Sequence, residues 1–128
     1  PISNSEMMER LAGITPQQVS VAEVHDATSF CEIYQAEMMG FCPIGQGGAW
    51  VESGATSFGG AQPINLSGGL VSKGHPVGAT GLSMIHELAL QLRGEAGARQ
   101  VDRDVDVALT HNVGGTGQTA VVHIYERR

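Results

Sequence analysis

Apolar positions along the chain fall into short periodic runs separated by glycine-rich stretches. Over 5–12, Met7, Met8 and Leu11 recur at helical spacing and Gly13 supplies a stop, which predicts an opening helix. Ile14, Thr15 and Pro16 read as a turn, with Pro16 able to open a short helical bend. Residues 19–24 (VSVAEV) mix alternation with near-continuous apolar character, as an internal strand does, and run directly into His25 and Asp26. Over 29–39, Phe30, Ile33, Tyr34 and Met38 recur at helical intervals, predicting a second helix that Gly40 ends.

The stretch 42–69 keeps no period and is rich in Gly and Pro. A loop of that length inside a compact domain is ordinarily functional or disordered, and its Trp, Phe and Ile residues favour a packed one. Residues 82–92 (LSMIHELALQL) are apolar almost all round, so this helix is expected to be buried. After a polar connection over 93–104, residues 105–110 and 119–125 predict two antiparallel strands joined by the glycine turn HNVGGTGQ. The order helix, strand, helix, long loop, helix, strand, strand predicts a layered α/β fold, a mixed sheet packed on a buried central helix. No second domain is expected within the chain.

Composition narrows the field. The chain has 128 residues with Lys+Arg 7 against Asp+Glu 13, a formal charge of −6, and Lys73 is its only lysine. Such a surface repels phosphate backbones and anionic lipid, which argues against nucleic-acid and membrane partners. No apolar run approaches the ~20 residues of a membrane span, and no basic-then-apolar leader opens the sequence. Cys31 and Cys42 form no CxxC pair, so neither a zinc site nor a disulfide framework is expected, and a cytoplasmic setting is. Glycine is abundant at 18 residues, clustered at the edges of periodic segments where tight turns and close backbone approach need it.

Chemistry concentrates in three loops. His25 follows a strand, His75 lies between Gly74 and Pro76, and His111 leaves a strand just before Gly114 and Gly115. Ligands gather at the C-terminal ends of strands in α/β sheets, and neutral imidazole accepts a proton near pH 7. In KGHPVGATG, Pro76 holds His75 extended, while Gly78 and Gly81 admit a ligand near a helix start suited to a thioester oxygen. In HNVGGTG, the glycines leave backbone N–H groups free to face a site, as an oxyanion hole requires. Plainer readings stand beside these: a tight turn, a glycine hairpin, and Asp26 or Thr28 capping the next helix with His25 merely packed. His86 and His123 read as structural, and Cys31, Cys42 and Tyr34 as packing residues.

These segments together resemble the thiolases. NLSGGLVSKGHPVGATG over 65–81 is similar to their N-x-[NS]-G-G…GHPxGA[ST]G segment. EVHDATSFCE resembles the HDCF loop of the sterol-carrier-protein type, and HNVGGTGQTAVVHIY its final loop and strand. The similarity runs from about Val19 to Tyr125. It implies a thiolase-like C-terminal domain over 1–128, with the nucleophile-bearing N-terminal domain absent from this chain. By position, His75 matches the histidine that activates the nucleophilic cysteine and helps bind the thioester oxygen. His25 matches the HDCF histidine at the same oxyanion site. His111 stands where ordinary thiolases carry their acid/base cysteine, and Ala27 where the sterol-carrier type carries its own.

The resemblance implies acyl-CoA as substrate, coenzyme A entering as part of it, with no separate cofactor and no metal. Gly74, Pro76 and Gly78 are expected to line the substrate, and the Gly114/Gly115 loop to shape an oxyanion site. Acyl transfer (Claisen condensation or thiolysis) is the first reading. It needs a second polypeptide or segment for the nucleophile. A retro-aldolase lacking the catalytic cysteines, with a small OB-fold partner, is the second, and a non-catalytic thiolase-like subunit the third. Association into an oligomer is expected in each.

Overall fold

Val21–Val24 (β1), Val107–Gly114 (β2) and Thr119–Glu126 (β3) form one mixed sheet in the order β1-β2-β3. The structure, a computed structural model, describes residues 4–128; Pro1, Ile2 and Ser3 lie outside the described residues. β1 runs parallel to β2 with Val24 opposite His111. β2 and β3 are antiparallel, from Val107 opposite Glu126 to Gly114 opposite Thr119.

β1 is thus an edge strand, and its outer edge is covered by the segment around Pro63 and Asn65. The Ala22 N–H donates to the Pro63 carbonyl at 3.0 Å and the Asn65 N–H to the Ala22 carbonyl at 2.9 Å. That cover is why a run buried at every position reads like an internal strand.

Helices pack on both faces, because successive side chains of a strand point to opposite sides. Ala22, Val24 and Leu109 bury one face together with Met8 of α1 (Asn4–Ala12), and Ala36 of α2 (Ser29–Met38). Val21 and Ala108 bury the other with Leu88 of α5 (Thr80–Arg93), Leu66, Val101 and Val105. The layered α/β arrangement expected from the element order is the one observed.

Several local expectations change. The long stretch 42–69 contains a short helix, α3 (Gly47–Glu52), and leads into another, α4 (Gly69–Lys73), with Trp50 and Ile64 packed on the first core cluster. α2 presents Gln35 and Ala36 inward, and Phe30 and Tyr34, stacked with centroids 6.0 Å apart, lie exposed. Packing therefore does not explain Tyr34. α5 buries a stripe of Thr80, Met84, Glu87, Leu88 and Gln91, while Leu82 is 69% exposed and His86 is exposed. His123 is also exposed. The helix closes on Gly94, whose N–H donates to the Gln91 carbonyl while that of Glu95 donates to Leu90, a paired cap requiring the left-handed Gly94 at φ 72°.

β2 starts later than the expected 105 and runs further. Asn112, Val113 and Gly114 continue the ladder against β3, so the turn shrinks to 115–118. His111 therefore sits inside the strand. Gly115 and Gly117, at φ 60° and 88°, supply the reversal.

Candidate functional site

The C-terminal end of β1, the start of α2 and the far half of β2 enclose a cleft of about 580 Å³. Its lining includes His25, Ala27, Cys31, Gln35, His111 and Gly115. Parallel pairing of β1 with β2 brings His25 beside His111: the His25 N–H donates to the His111 carbonyl at 3.0 Å. Among the described lining residues none is Asp, Glu, Lys or Arg, so the cleft is neutral and largely apolar.

His25 is oriented by Asn112, whose Oδ1 lies 2.8 Å from Nδ1. Asn112 in turn meets the start of α5: a Cβ added at Gly81 would come 3.0 Å from its Nδ2. Glycine at that position lets the helix approach the His25–Asn112 pair. The His75 ring packs edge-on against His25 with centroids 4.9 Å apart. Its Nδ1 lies 2.7 Å from the Thr80 hydroxyl at the first turn of α5. The GHP segment is therefore a built turn, with the amides of Ala79 and Thr80 both donating to the Pro76 carbonyl, at 2.8 and 3.0 Å.

His111 is 3% exposed. Its Nδ1 lies 2.6 Å from Gln35 Oε1 and its Nε2 3.3 Å from Asn4 Nδ2. Burial, and secondarily the neighbouring His25, push this ring down to about 4, so it is neutral near pH 7.

Asp26 and Thr28 divide the capping work. Thr28 caps α2, its hydroxyl oxygen accepting the Cys31 N–H at 3.2 Å. Asp26 reaches across the fold to α4, accepting the Leu70 N–H at 2.7 Å. The chain that leaves His25 is thus anchored at both Asp26 and Thr28. Beneath them Glu23, buried in β1, accepts from the Ser67 amide and hydroxyl. Burial pushes its carboxyl up to about 7 against the lowering effect of those bonds and of Lys73.

The structure brings His25, His75 and His111 together through His25, but separates the expected backbone groups. Gly115 lines the cleft with Thr116 and Gly117, whereas Gly114 lies in the ladder opposite Thr119. Gly74, His75, Pro76 and Gly78 are exposed and lie outside the cleft lining, His75 reaching it only through its contact with His25. Cys31, read as packing, is half-buried and lines the cleft, its Sγ 3.2 Å from the Thr28 hydroxyl. Cys42 is buried as expected, its thiol pushed up by burial and by Glu37. Gln35 and Asn112 had no sequence signal as site residues.

Residues 3–127 match the family described as Thiolase C-terminal domain-like. Acetyl-CoA acetyltransferase of Methanothermobacter thermautotrophicus is 48% identical over 118 residues, covering 92% of this chain and 30% of that protein. Sterol carrier protein 2 of Rattus norvegicus is 54% identical over 114 residues, covering 89% and 20%. The Homo sapiens protein of that name is 50% identical, covering 90% and 21%. The chain thus spans 20% to 30% of the length of these relatives. In three dimensions it shares its fold with a chain of the Ltp2-ChsH2(DUF35) aldolase, at a TM-score of 0.80 and 24% identity over 97% of this chain and 31% of that one. With its three histidine and glycine loops placed as described, this chain belongs to the thiolase C-terminal domain family.

Proposed function

We propose that the chain supplies the histidine-bearing part of a thiolase-like site that transfers acyl groups between an acyl-CoA and a carbon nucleophile, or reverses that transfer. The observation that carries this reading is the edge-on packing of His75 against His25 at 4.9 Å, beside a neutral, largely apolar cleft. His25 Nδ1 faces the Asn112 oxygen, and His75 Nδ1 faces a Thr80 hydroxyl that itself donates to Pro76, so each ring keeps its one neutral-form hydrogen on Nδ1. As imidazolium, each can also donate from Nε2 to a thioester oxygen, where charge develops as the carbonyl is attacked.

In this mechanism His75 takes the proton of a cysteine thiol contributed by residues outside this chain. The thiolate attacks the thioester carbonyl, and the oxyanion is held by His25 and His75. Collapse expels the coenzyme A thiolate, which takes the proton held by His75, and leaves an acyl-cysteine. A carbon nucleophile, formed by loss of a proton α to a second thioester, then takes the acyl group. His111 is the proton acceptor at that carbon, and the Gly115 amide is a donor for the second oxyanion.

A second reading, retro-aldol cleavage of an acyl-CoA, is favoured by Ala27, which puts a methyl group in the cleft where the resemblance calls for a thiol. That reaction needs a base and an enolate-stabilising pair but no acyl-cysteine. The aldolase whose fold the chain shares fits this reading. Both readings place the chain in an assembly, with the nucleophile-bearing domain or a small subunit as partner.

Native mass spectrometry of the gently purified protein, with iodoacetamide mapping at neutral pH, tests the first reading. The expected result is one hyper-reactive cysteine outside this chain whose alkylation is suppressed by His75→Ala. Unchanged alkylation removes His75 as activating base. An assembly without such a cysteine that releases an aldehyde or ketone from a 3-hydroxyacyl-CoA establishes the aldolase reading instead.

A further inference from the structure

Gln35 is a buried amide on the inward face of α2, 3% exposed and bonded at both ends. Its Nε2 donates to the carbonyl of His25 at 2.7 Å and to that of Cys31 at 2.9 Å. Two carbonyl acceptors at one end settle which end of the amide is nitrogen, because a flipped amide would set oxygen against oxygen at both contacts. The oxygen at the other end accepts from the His25 N–H at 3.2 Å and lies 2.6 Å from His111 Nδ1.

An amide oxygen has no hydrogen to give. The hydrogen of the short contact therefore belongs to His111 Nδ1, and a neutral imidazole carries only one. Nε2 is left bare. It lies 3.3 Å from the Asn4 amide nitrogen, a donor, and both residues line the cleft. The titratable groups that share the cleft are His25, Cys31 and Tyr34, with His75 behind His25. None of them is a carboxylate that could hold the imidazolium form.

We propose that Gln35 is a positioning residue that locks His111 as the Nδ1–H tautomer and so presents Nε2 to the cleft as the proton acceptor of this site. The proposal deepens the reading above and rests on it for the substrate. When an acyl thioester occupies the cleft, the Asn4 amide gives way at Nε2 and a bond forms between Nε2 and a proton α to the carbonyl. The C–H electron pair stays on the substrate as an enolate, and the imidazolium returns the proton to the carbon or to the leaving group. Nδ1–H remains bonded to Gln35 throughout, so the ring need not turn between the two steps.

The test is histidine-selective nitrogen-15 labelling of the intact assembly, with His111 assigned by its loss in His111→Asn. The expected result in the unaltered protein is a protonated Nδ1 and a bare Nε2 at neutral pH. Gln35→Leu removes the acceptor. The ring is then expected to move to the Nε2–H form, and kcat to fall by about 10- to 100-fold. Gln35→Glu restores an acceptor toward Nδ1 and adds a charge that favours imidazolium. The variant loses the two bonds that the Gln35 Nε2 gives to the His25 and Cys31 carbonyls, so its fold is verified first. It is expected to keep the Nδ1–H form and move the acid limb of the kcat profile to higher pH, a change that a merely structural role would not produce.

A protonated Nε2 in the unaltered protein overturns the proposal, and so does an acid limb unmoved by Gln35→Glu in a folded protein. The first of these needs neither substrate nor a Gln35 variant, so a Gln35→Leu protein that fails to fold leaves the decision intact. An assembly with the Nδ1–H tautomer but no activity on any acyl-CoA supports the lock and overturns the acyl-CoA reading.

Discussion

Glu23 accepts hydrogen bonds from both the amide and the hydroxyl of Ser67, at 3.0 and 2.6 Å, tying β1 to the turn that precedes α4. The same hydroxyl oxygen accepts from Lys73 Nζ at 2.6 Å, and that ammonium lies 3.9 Å from the carboxylate. Glu23 stands two positions before His25, and Lys73 two before His75. One buried carboxyl therefore braces the chain beneath both of these rings, which pack edge-on.

Two buried groups give this protein opposing pH dependences. Glu23 is raised from 4.5 to about 7, so the folded state binds more protons than the unfolded one. Its contribution is full below about pH 4.5 and lost as pH rises to about 7. His111 is lowered from 6.5 to about 4, so its contribution is full above about pH 6.5 and lost as pH falls to about 4. Each is worth about 3 kcal/mol across its window, and they nearly cancel. Denaturation of the unaltered protein between pH 4.5 and 6.5 is expected to show a shallow slope. Glu23→Gln should unmask stability rising with pH, and His111→Gln stability falling with pH. Two variants with slopes of the same sign would contradict the assignment.

How much of this was legible in the chain differs by element. His25 and His75 could be read because each carries a local sentence, a strand running into HDAT and a proline-fixed GHP before a helix. The extension of β2 could not, because Asn112, Val113 and Gly114 have no alternation; they are strand only because β3 pairs with them. Gln35 was hidden by a genuine helical period. Phe30, Ile33, Tyr34 and Met38 do mark α2 as a helix, but the inward stripe holds Gln35 because the end of β1 and the ring on β2 need a polar partner. Periodicity identifies the element; which face turns inward here follows from hydrogen bonds that span 76 residues of chain.

Close approach sets a sharper limit than backbone conformation at Gly69. Both Gly13 and Gly69 have left-handed dihedrals, at φ 66° and 61°. A Cβ at Gly13 meets nothing within 4 Å, whereas one at Gly69 falls onto the Asp26 carboxylate that caps α4. Gly13→Ala is expected to cost about 1 kcal/mol, the strain of the left-handed region alone. Gly69→Ala is expected to cost about 2 kcal/mol more, by displacing Asp26 from the Leu70 amide. Chemical denaturation of the two variants gives the difference directly. Equal costs would mean that α4 shifts freely and that Asp26 does not anchor it.

The two thiols are expected to separate cleanly in reactivity. Cys31 is partly exposed in the cleft at the first turn of α2, and its sulfur accepts the Thr28 hydroxyl at 3.2 Å. Cys42 is buried in the core, its thiol pushed up by burial and by the Glu37 carboxylate. Near neutral pH iodoacetamide should therefore label Cys31 at least about tenfold faster than Cys42, since the thiolate is the reacting form and must be reached. Peptide mapping after brief alkylation measures the ratio. An acyl-CoA that occupies the cleft should slow labelling at Cys31 and leave Cys42 unchanged. Protection at neither thiol, with binding verified separately, would place the ligand outside this cleft and move the site toward the exposed GHP turn.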